Sequence, residues 1–129
     1  MSNISTGENE ILMFTYGTLK RGHYNNKFLD GAEFIGEAIM KGFEMYSNGA
    51  YPMIVEGDGI VYGEVYKVNL EDLLRIDRLE EYREDIDDGV YLRRKGEVEL
   101  KSGEKVDVEY YLWNRSILGL KKIERGEFK

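Results

Sequence analysis

The sequence predicts an α+β domain in which strands form a strongly curved or closed sheet and one clear helix accompanies them. Three observations support this. Short apolar segments separated by Gly, Asn and Asp turn residues occupy positions 31–68 and return over positions 90–113. One amphipathic segment lies between those two regions and begins at Leu70. The segment at positions 60–68 is apolar on both faces, which is typical of a strand covered on both sides.

Length and composition limit the organisation and the partners. The 129 residues suit one domain, so we expect a single domain over residues 11–129 after a loosely ordered polar tail at residues 1–10. That tail and the short apolar run after it do not match a membrane span or a secretion signal, and we expect a cytoplasmic protein. The formal net charge of −7 opposes binding to nucleic acid or to an anionic membrane.

The chemistry available to the chain is also limited. There is no cysteine, so disulfides and thiolate nucleophiles are excluded. The only histidine is His23, so a metal cluster built on several histidines is unavailable and His23 is left out of the expected mechanism. Any catalysis must therefore use oxygen and nitrogen groups.

The first predicted strand covers positions 11–14 and ends in the tetrapeptide YGTL at positions 16–19. Gly17 permits a sharp turn there, and successive N–H groups in such a turn can point into one concavity and bind an anion. A plain strand-to-loop corner is the alternative, and the tetrapeptide alone does not decide between them. Lys20 and Arg21 could assist an anion, although basic pairs beside a turn are usually solvated.

Turn residues divide the next region into predicted strands. Asn and Gly at positions 47–49, and Gly and Asp at positions 57–59, are strong turn signals because they tolerate positive φ angles. Pro52 is the only proline, and it lies at the start of a strand, where its missing N–H does least harm. The predicted strands are 32–38, 40–46, 51–56 and 60–68. A short helix is also possible around positions 27–29.

The clearest helix is predicted from Leu70 to about Tyr82, with Asn69 as the N-cap. Periodicity places Asp77 and Glu80 inside the apolar arc of this helix. A carboxylate is unusual on an apolar face, so its presence there has to be explained. Glu80 either pairs with a nearby arginine as a structural ion pair, or lines a cavity as a general base of raised pKa. Periodicity alone favours the ion pair, and Asp77 has the same two interpretations.

Strands return after the helix, at predicted positions 90–95, 97–100 and 106–113. The turn signal at positions 101–104 predicts antiparallel pairing of the two segments that flank it. The tail at positions 114–129 has enough apolar residues to dock on the domain and too few for a domain of its own.

The order of these features resembles the γ-glutamylcyclotransferase-like superfamily, including its AIG2-like branch. The resemblance covers roughly residues 12–113. The pattern of that family usually carries Glu-Gly where this chain has Glu80-Glu81, and the spacing from Asp77 assigns Glu80 as the matching glutamate. The features that carry the resemblance are, in order, Tyr16-Gly17-Thr18-Leu19, Tyr51-Pro52, Gly63-Glu64-Val65-Tyr66, Ile76-Asp77-Arg78-Leu79-Glu80-Glu81-Tyr82 and Tyr91-Leu92-Arg93.

The resemblance implies a small mixed β-barrel flanked by helices, with one cavity and no metal or organic cofactor. It implies that the N–H groups of Gly17, Thr18 and Leu19 hold the substrate carboxylate, and that Tyr16 helps to form the pocket. Glu80 would act as general acid and base while the α-amine of a γ-glutamyl amine or peptide attacks the γ-carbonyl and releases 5-oxoproline. Further expected cavity-wall residues, for which core packing is the alternative, are Tyr51, Tyr91 and Tyr111.

Two other functions stay open at this point. One is a non-catalytic binder of small carboxylates on the same fold, against which the retained Glu80 argues. The other is a nucleic-acid-binding barrel, which the net charge opposes. The expected partner is therefore a small γ-glutamyl substrate, and the sequence predicts neither its amine portion nor the oligomeric state.

Overall fold

The computed structural model describes residues 10–23 and 25–128. The predicted tail at residues 1–10 lies outside them except for Glu10, which begins the first strand. None of the helices within these residues combines the length and apolar character needed to cross a membrane. The elements in chain order are β1 (Glu10–Thr15), a short 3-10 helix (Asn26–Leu29), β2 (Glu33–Ser47), β3 (Pro52–Asn69), α1 (Leu70–Leu79), β4 (Tyr91–Leu100), β5 (Lys105–Trp113) and β6 (Lys121–Ile123).

Five of the strands close into a barrel. Their hydrogen-bonded order is β3-β1-β5-β4-β2, and β2 also pairs with β3, which closes the circle. The β1–β5 pair is parallel and the other pairs are antiparallel, so the barrel is mixed. The short strand β6, in the predicted docking tail, pairs with the outer part of β2. The predicted small mixed β-barrel is therefore confirmed, and the helices expected to flank it are one α-helix and one short 3-10 helix among the described residues.

Two apolar clusters hold the fold together. The first fills the barrel and includes Phe14 and Val65, and the second lies between the barrel and α1 and includes Met13 and Ile76. Strand β3 contributes to both clusters, because Val61 and Val65 face the first while Tyr66 and Val68 belong to the second. The prediction that positions 60–68 form a strand is confirmed, and coverage on both sides is confirmed for positions 63–68 only, because Ile60 and Tyr62 are exposed.

The predicted turn at positions 57–59 is wrong, because those residues continue β3 opposite an equally continuous β2. The pairing of the two strands shifts register between Lys41 and Phe43, at Gly42, whose φ is 89°. A Cβ at Gly57 would lie 2.6 Å from the Glu44 side chain, and one at Gly59 would lie 2.8 Å from the Phe43 carbonyl oxygen. These glycines let β3 pack closely against residues 43 and 44 of β2 beside a β-bulge, and they do not reverse the chain.

The break predicted at position 96 is also wrong, because β4 is one strand. A Cβ at Gly96 would lie 2.9 Å from the Tyr110 ring, so glycine is there to admit that ring. The turn predicted at positions 47–49 is confirmed, and the Asn48 side chain accepts hydrogen bonds from two N–H groups that follow it. The predicted helix over 70–82 is shorter and ends at Leu79.

Both ends of α1 are capped. At its start the Asn69 side chain accepts a 2.7 Å hydrogen bond from the Asp72 N–H, as predicted. At its end the Tyr82 N–H donates to the Asp77 carbonyl at 2.7 Å, and the Glu81 N–H donates to the Arg78 carbonyl. This pair of hydrogen bonds is a Schellman motif.

The residue after the helix cap in this motif is Glu81, and its φ of 57° lies in the left-handed region that favours glycine. The chain therefore tolerates backbone strain directly beside Glu80. Glycine at this position would remove that strain, which agrees with the Glu-Gly pattern noted for the family above.

We predict that Glu81→Gly raises the free energy of unfolding by about 0.5–1 kcal/mol, because glycine adopts left-handed angles without steric cost. Urea unfolding followed by circular dichroism measures it. The control is Glu71→Gly, inside α1, which should be destabilising. A lower unfolding midpoint for Glu81→Gly would contradict the strain assignment.

Candidate active site

One cavity of about 250 Å³ opens where β1 ends and where α1 ends. The structure brings all eight residues predicted for the site to its lining, although they come from five separate parts of the chain. The tetrapeptide at positions 16–19 forms one side, and the acid after α1 forms another. The predicted residues in the lining are Tyr16, Gly17, Thr18, Leu19, Tyr51, Glu80, Tyr91 and Tyr111.

The tetrapeptide makes a tight turn in which the Lys20 N–H donates to the Gly17 carbonyl at 3.0 Å. Within the described residues, the N–H groups of Gly17, Thr18 and Leu19 have no hydrogen-bond acceptor. We call residues 17–19 the donor turn. Consecutive N–H groups without protein acceptors are suited to bind a carboxylate.

Close packing and amide side chains hold the donor turn in place. A Cβ at Gly17 would lie 2.8 Å from a ring carbon of Pro52, so only glycine lets the turn approach that proline. The Asn25 side chain donates to the Thr18 hydroxyl at 2.8 Å, and the Asn26 side chain donates to the Leu19 carbonyl at 2.8 Å. Asn25 also lines the cavity, and the sequence pattern did not identify it.

Neither Lys20 nor Arg21 is part of the cavity lining. The Lys20 ammonium donates to the Phe128 carbonyl at 2.7 Å, and the Arg21 backbone and side chain both donate to Glu64. These two cations therefore tie the loop to the barrel and to the C-terminal segment.

Glu80 is the C-cap residue of α1, and its side chain is half-buried in the cavity wall. Within the described part of the chain, its carboxyl forms no ion pair and no hydrogen bond to another side chain. Burial, and secondarily the charge of Asp77, raises the pKa of Glu80 to about 7. The ion pair that periodicity favoured for Glu80 is therefore wrong.

Asp77 takes that ion pair instead. Arg93 Nε lies 3.0 Å from Asp77 Oδ1, and the Tyr111 hydroxyl donates to the same oxygen at 2.5 Å. Arg93 also contacts Glu109 and Glu84. Asp77 is buried, and its network joins α1 to β4 and β5. Asp77 therefore has a structural role, in contrast to Glu80 three positions later in the chain.

Three buried tyrosine side chains line the same cavity as Glu80. The Tyr16 hydroxyl donates to the Tyr111 carbonyl at 2.6 Å, and the Tyr91 hydroxyl donates to the Pro52 carbonyl at 2.8 Å. Burial is the main cause that raises the pKa of Tyr16, Tyr91 and Tyr111, and the charge of Glu80 contributes to each. These hydroxyls therefore stay protonated at neutral pH, while Tyr51 lies at the rim with 37% of its surface exposed.

No group of three or more His, Asp or Glu side chains within residues 10–23 and 25–128 is arranged to hold a metal ion. The groups that the cavity offers are thus N–H donors at one end, tyrosine hydroxyls along the wall and two acids, of which Glu80 is half-buried and Glu81 is exposed. This arrangement can bind the carboxylate of a small ligand, while Glu80 exchanges a proton with another group of that ligand near neutral pH.

A closed mixed barrel with such a turn and such an acid defines a class of small barrel proteins, and sequence comparison identifies the family. The model of the γ-glutamyl cyclotransferase, AIG2-like family matches residues 13–129, and the chain belongs to this family.

Individual relatives agree in sequence and in fold. The γ-glutamylcyclotransferase family protein YtfP of Escherichia coli is 30% identical over 116 residues, which cover 90% of this chain and 94% of that protein. A crystal structure of an uncharacterised protein from Pyrococcus horikoshii superposes with a TM-score of 0.70 at 31% identity, covering 92% of this chain and 89% of that one. An AIG2-like protein from Mus musculus shares the fold, with a TM-score of 0.77 at 24% identity over 95% of this chain and 90% of its own.

Burial of Glu80 gives a pH-dependent prediction of stability. Its pKa is about 7 in the folded chain against an ordinary value of 4.5, so the folded state binds its proton more tightly. The resulting destabilisation is absent below pH 4.5 and develops fully as the pH rises above 7. We predict that Glu80→Gln unfolds like the unaltered protein at pH 4.5 and is more stable by about 2 kcal/mol at pH 8.

Denaturant unfolding at both pH values tests this, with Glu71→Gln on the exposed face of α1 as the matched control. An equal difference at both pH values would show that the carboxyl of Glu80 is not desolvated.

Proposed function

We propose that this protein is a γ-glutamyl cyclotransferase that releases 5-oxoproline from a γ-glutamyl amine or γ-glutamyl peptide. The observation that carries the proposal is the pairing, in one cavity, of the donor turn with an acid whose pKa is raised to about 7. Membership of the family supports the same reaction class. A titratable acid near neutrality is effective both as a base and as an acid.

In the proposed reaction, the N–H groups of the donor turn hold the α-carboxylate of the substrate. Glu80, as the carboxylate, takes a proton from the α-ammonium and frees the amine. The amine nitrogen then attacks the γ-carbonyl carbon, a C–N bond forms, and the bond from that carbon to the departing nitrogen breaks. Protonated Glu80 gives its proton to the departing nitrogen as that bond breaks. It then accepts the second proton, which the attacking nitrogen loses to become the neutral ring N–H, and passes it to the released amine, which leaves as an ammonium, so the enzyme ends in its starting state.

The enclosed wall serves this chemistry in two ways. It desolvates Glu80, which makes the carboxylate a stronger base than an exposed one. It also confines the flexible γ-glutamyl chain, so that the amine and the carbonyl of one molecule can meet at little further entropic cost. The open rim near Tyr51 leaves room for the departing amine.

We expect 5-oxoproline from at least one member of a panel of γ-glutamyl amines and γ-glutamyl dipeptides. Glu80→Gln should lower kcat by at least about 100-fold, because a positioned acid and base typically contributes 10²–10⁴-fold. The matched control Glu71→Gln should keep its rate. Chromatographic detection of 5-oxoproline measures both.

Two outcomes of that experiment would count against the proposal. If the unaltered protein yields no product from any panel member while it still binds 5-oxoproline, it is a carboxylate binder. Equal turnover by Glu80→Gln would remove Glu80 from the mechanism.

The pH dependence gives a separate prediction. Because the reactive form of Glu80 is the carboxylate, kcat/KM should rise with pH through a midpoint near 7. In Asp77→Asn the neighbouring negative charge is gone, so the midpoint should move to lower pH. Initial rates between pH 5 and 9 measure both midpoints, and an unchanged midpoint in Asp77→Asn would show that Asp77 does not act on the titrating group.

A further inference from the structure

The hydroxyl protons of two cavity tyrosines are already used by the protein. Tyr91 donates its proton to the Pro52 carbonyl at 2.8 Å, and Tyr111 donates its proton to Asp77 at 2.5 Å. A tyrosine hydroxyl has one proton to donate and can otherwise only accept. Both side chains line the cavity, so each can offer a ligand an oxygen acceptor and no donor.

The opposite end of the cavity has the reverse polarity. The donor turn presents N–H groups that have no acceptor among residues 10–23 and 25–128. The Thr18 hydroxyl accepts a hydrogen bond from Asn25, which leaves its own proton available to a ligand. The cavity therefore has one end that donates and one wall that accepts, and Glu80 lies in the accepting wall.

We propose that the hydroxyl oxygens of Tyr91 and Tyr111 form a binding site for the α-ammonium of the substrate, which makes a free α-amine a requirement for binding as well as for reaction. We call these two oxygens the acceptor pair. The proposal rests on the proposed function, because it names the determinant by which that cavity selects its substrate.

Three further features support the acceptor pair. The hydrogen bond from Tyr111 goes to a buried carboxylate, which increases the electron density on the phenolic oxygen and improves it as an acceptor. Glu80, Tyr91 and Tyr111 line the same cavity, so the acid and the acceptor pair share one space. Tyr16 is different, because its hydroxyl donates to the Tyr111 carbonyl and also interacts with the backbone of Ile54.

This polarity also fixes the orientation of the substrate. A carboxylate placed against the acceptor pair would meet oxygen lone pairs and the charge of Glu80, which repel it. An ammonium placed against the donor turn would meet N–H groups. Only one orientation satisfies both ends, and it puts the α-amine beside Glu80, where the proposed proton transfer needs it.

The test compares L-glutamine with glutaramate, which is the same γ-amide without the α-amine. Binding is measured by isothermal titration calorimetry at pH 7 in the Glu80→Gln background, which prevents turnover and removes the charge of Glu80. We expect L-glutamine to bind at least about tenfold tighter, since a hydrogen bond to a charged group contributes roughly 1.5–3 kcal/mol. Tyr91→Phe and Tyr111→Phe, each added to that background, should weaken L-glutamine binding about tenfold and leave glutaramate unchanged.

The control is Tyr62→Phe, an exposed tyrosine of β3 outside the cavity lining, which should change neither affinity. Equal affinities of Glu80→Gln for L-glutamine and glutaramate would overturn the acceptor pair. This comparison does not depend on whether the tyrosine variants fold. Equal weakening of both ligands by Tyr91→Phe and Tyr111→Phe, in protein that still melts cooperatively, would also overturn it. If the selectivity holds while no panel substrate yields 5-oxoproline, the proposed reaction fails and the acceptor pair stands.

Discussion

The end of α1 is the constraint on which the site depends. Asp77 holds it twice, because its carbonyl accepts the Tyr82 N–H and its side chain binds Arg93 of β4 and Tyr111 of β5. Helix ends are otherwise prone to fray, and a frayed end would let the next side chain turn to water. With the end tied to two barrel strands, Glu80 is kept in the cavity wall.

The two acids at this helix end show how partners decide the role of a carboxylate. Asp77 is more buried than Glu80, yet a guanidinium and a phenol satisfy it. Glu80 lies in the cavity and has no such partner in the part of the chain that the structure describes, so burial raises its pKa and the charge on Asp77 adds to the effect. An acid kept unpaired at a cost in stability is expected where the acid has chemistry to perform.

Much of the fold followed from local patterns, and the errors have physical causes. The strands, the helix and its Asn69 cap depend on neighbouring residues, and the sequence showed them. The false turn at positions 57–59 arose because glycine marks both chain reversal and close approach, and only the position of Glu44 across the bulge distinguishes them. The cavity residues of the YGTL tetrapeptide were identifiable by motif, whereas Asn25 was not, since its role depends on the loop folding back onto Thr18. The partner of Asp77 could not be read from helix periodicity, because Arg93 and Tyr111 meet it through the register of β4 against β5.

Closure of the barrel converts these separate local features into one site. The donor turn follows β1, Pro52 and Tyr91 begin β3 and β4, and Tyr111 lies near the end of β5, so each belongs to a different strand. A barrel has no free edge along which its strands can slip, so their ends keep fixed relative positions. The hydroxyl protons of Tyr16, Tyr91 and Tyr111 are spent on contacts between those strands and with α1. The bonds that hold the strand ends together therefore also fix which hydroxyl protons remain for a ligand, so the polarity of the cavity is a direct consequence of the way in which the barrel is closed.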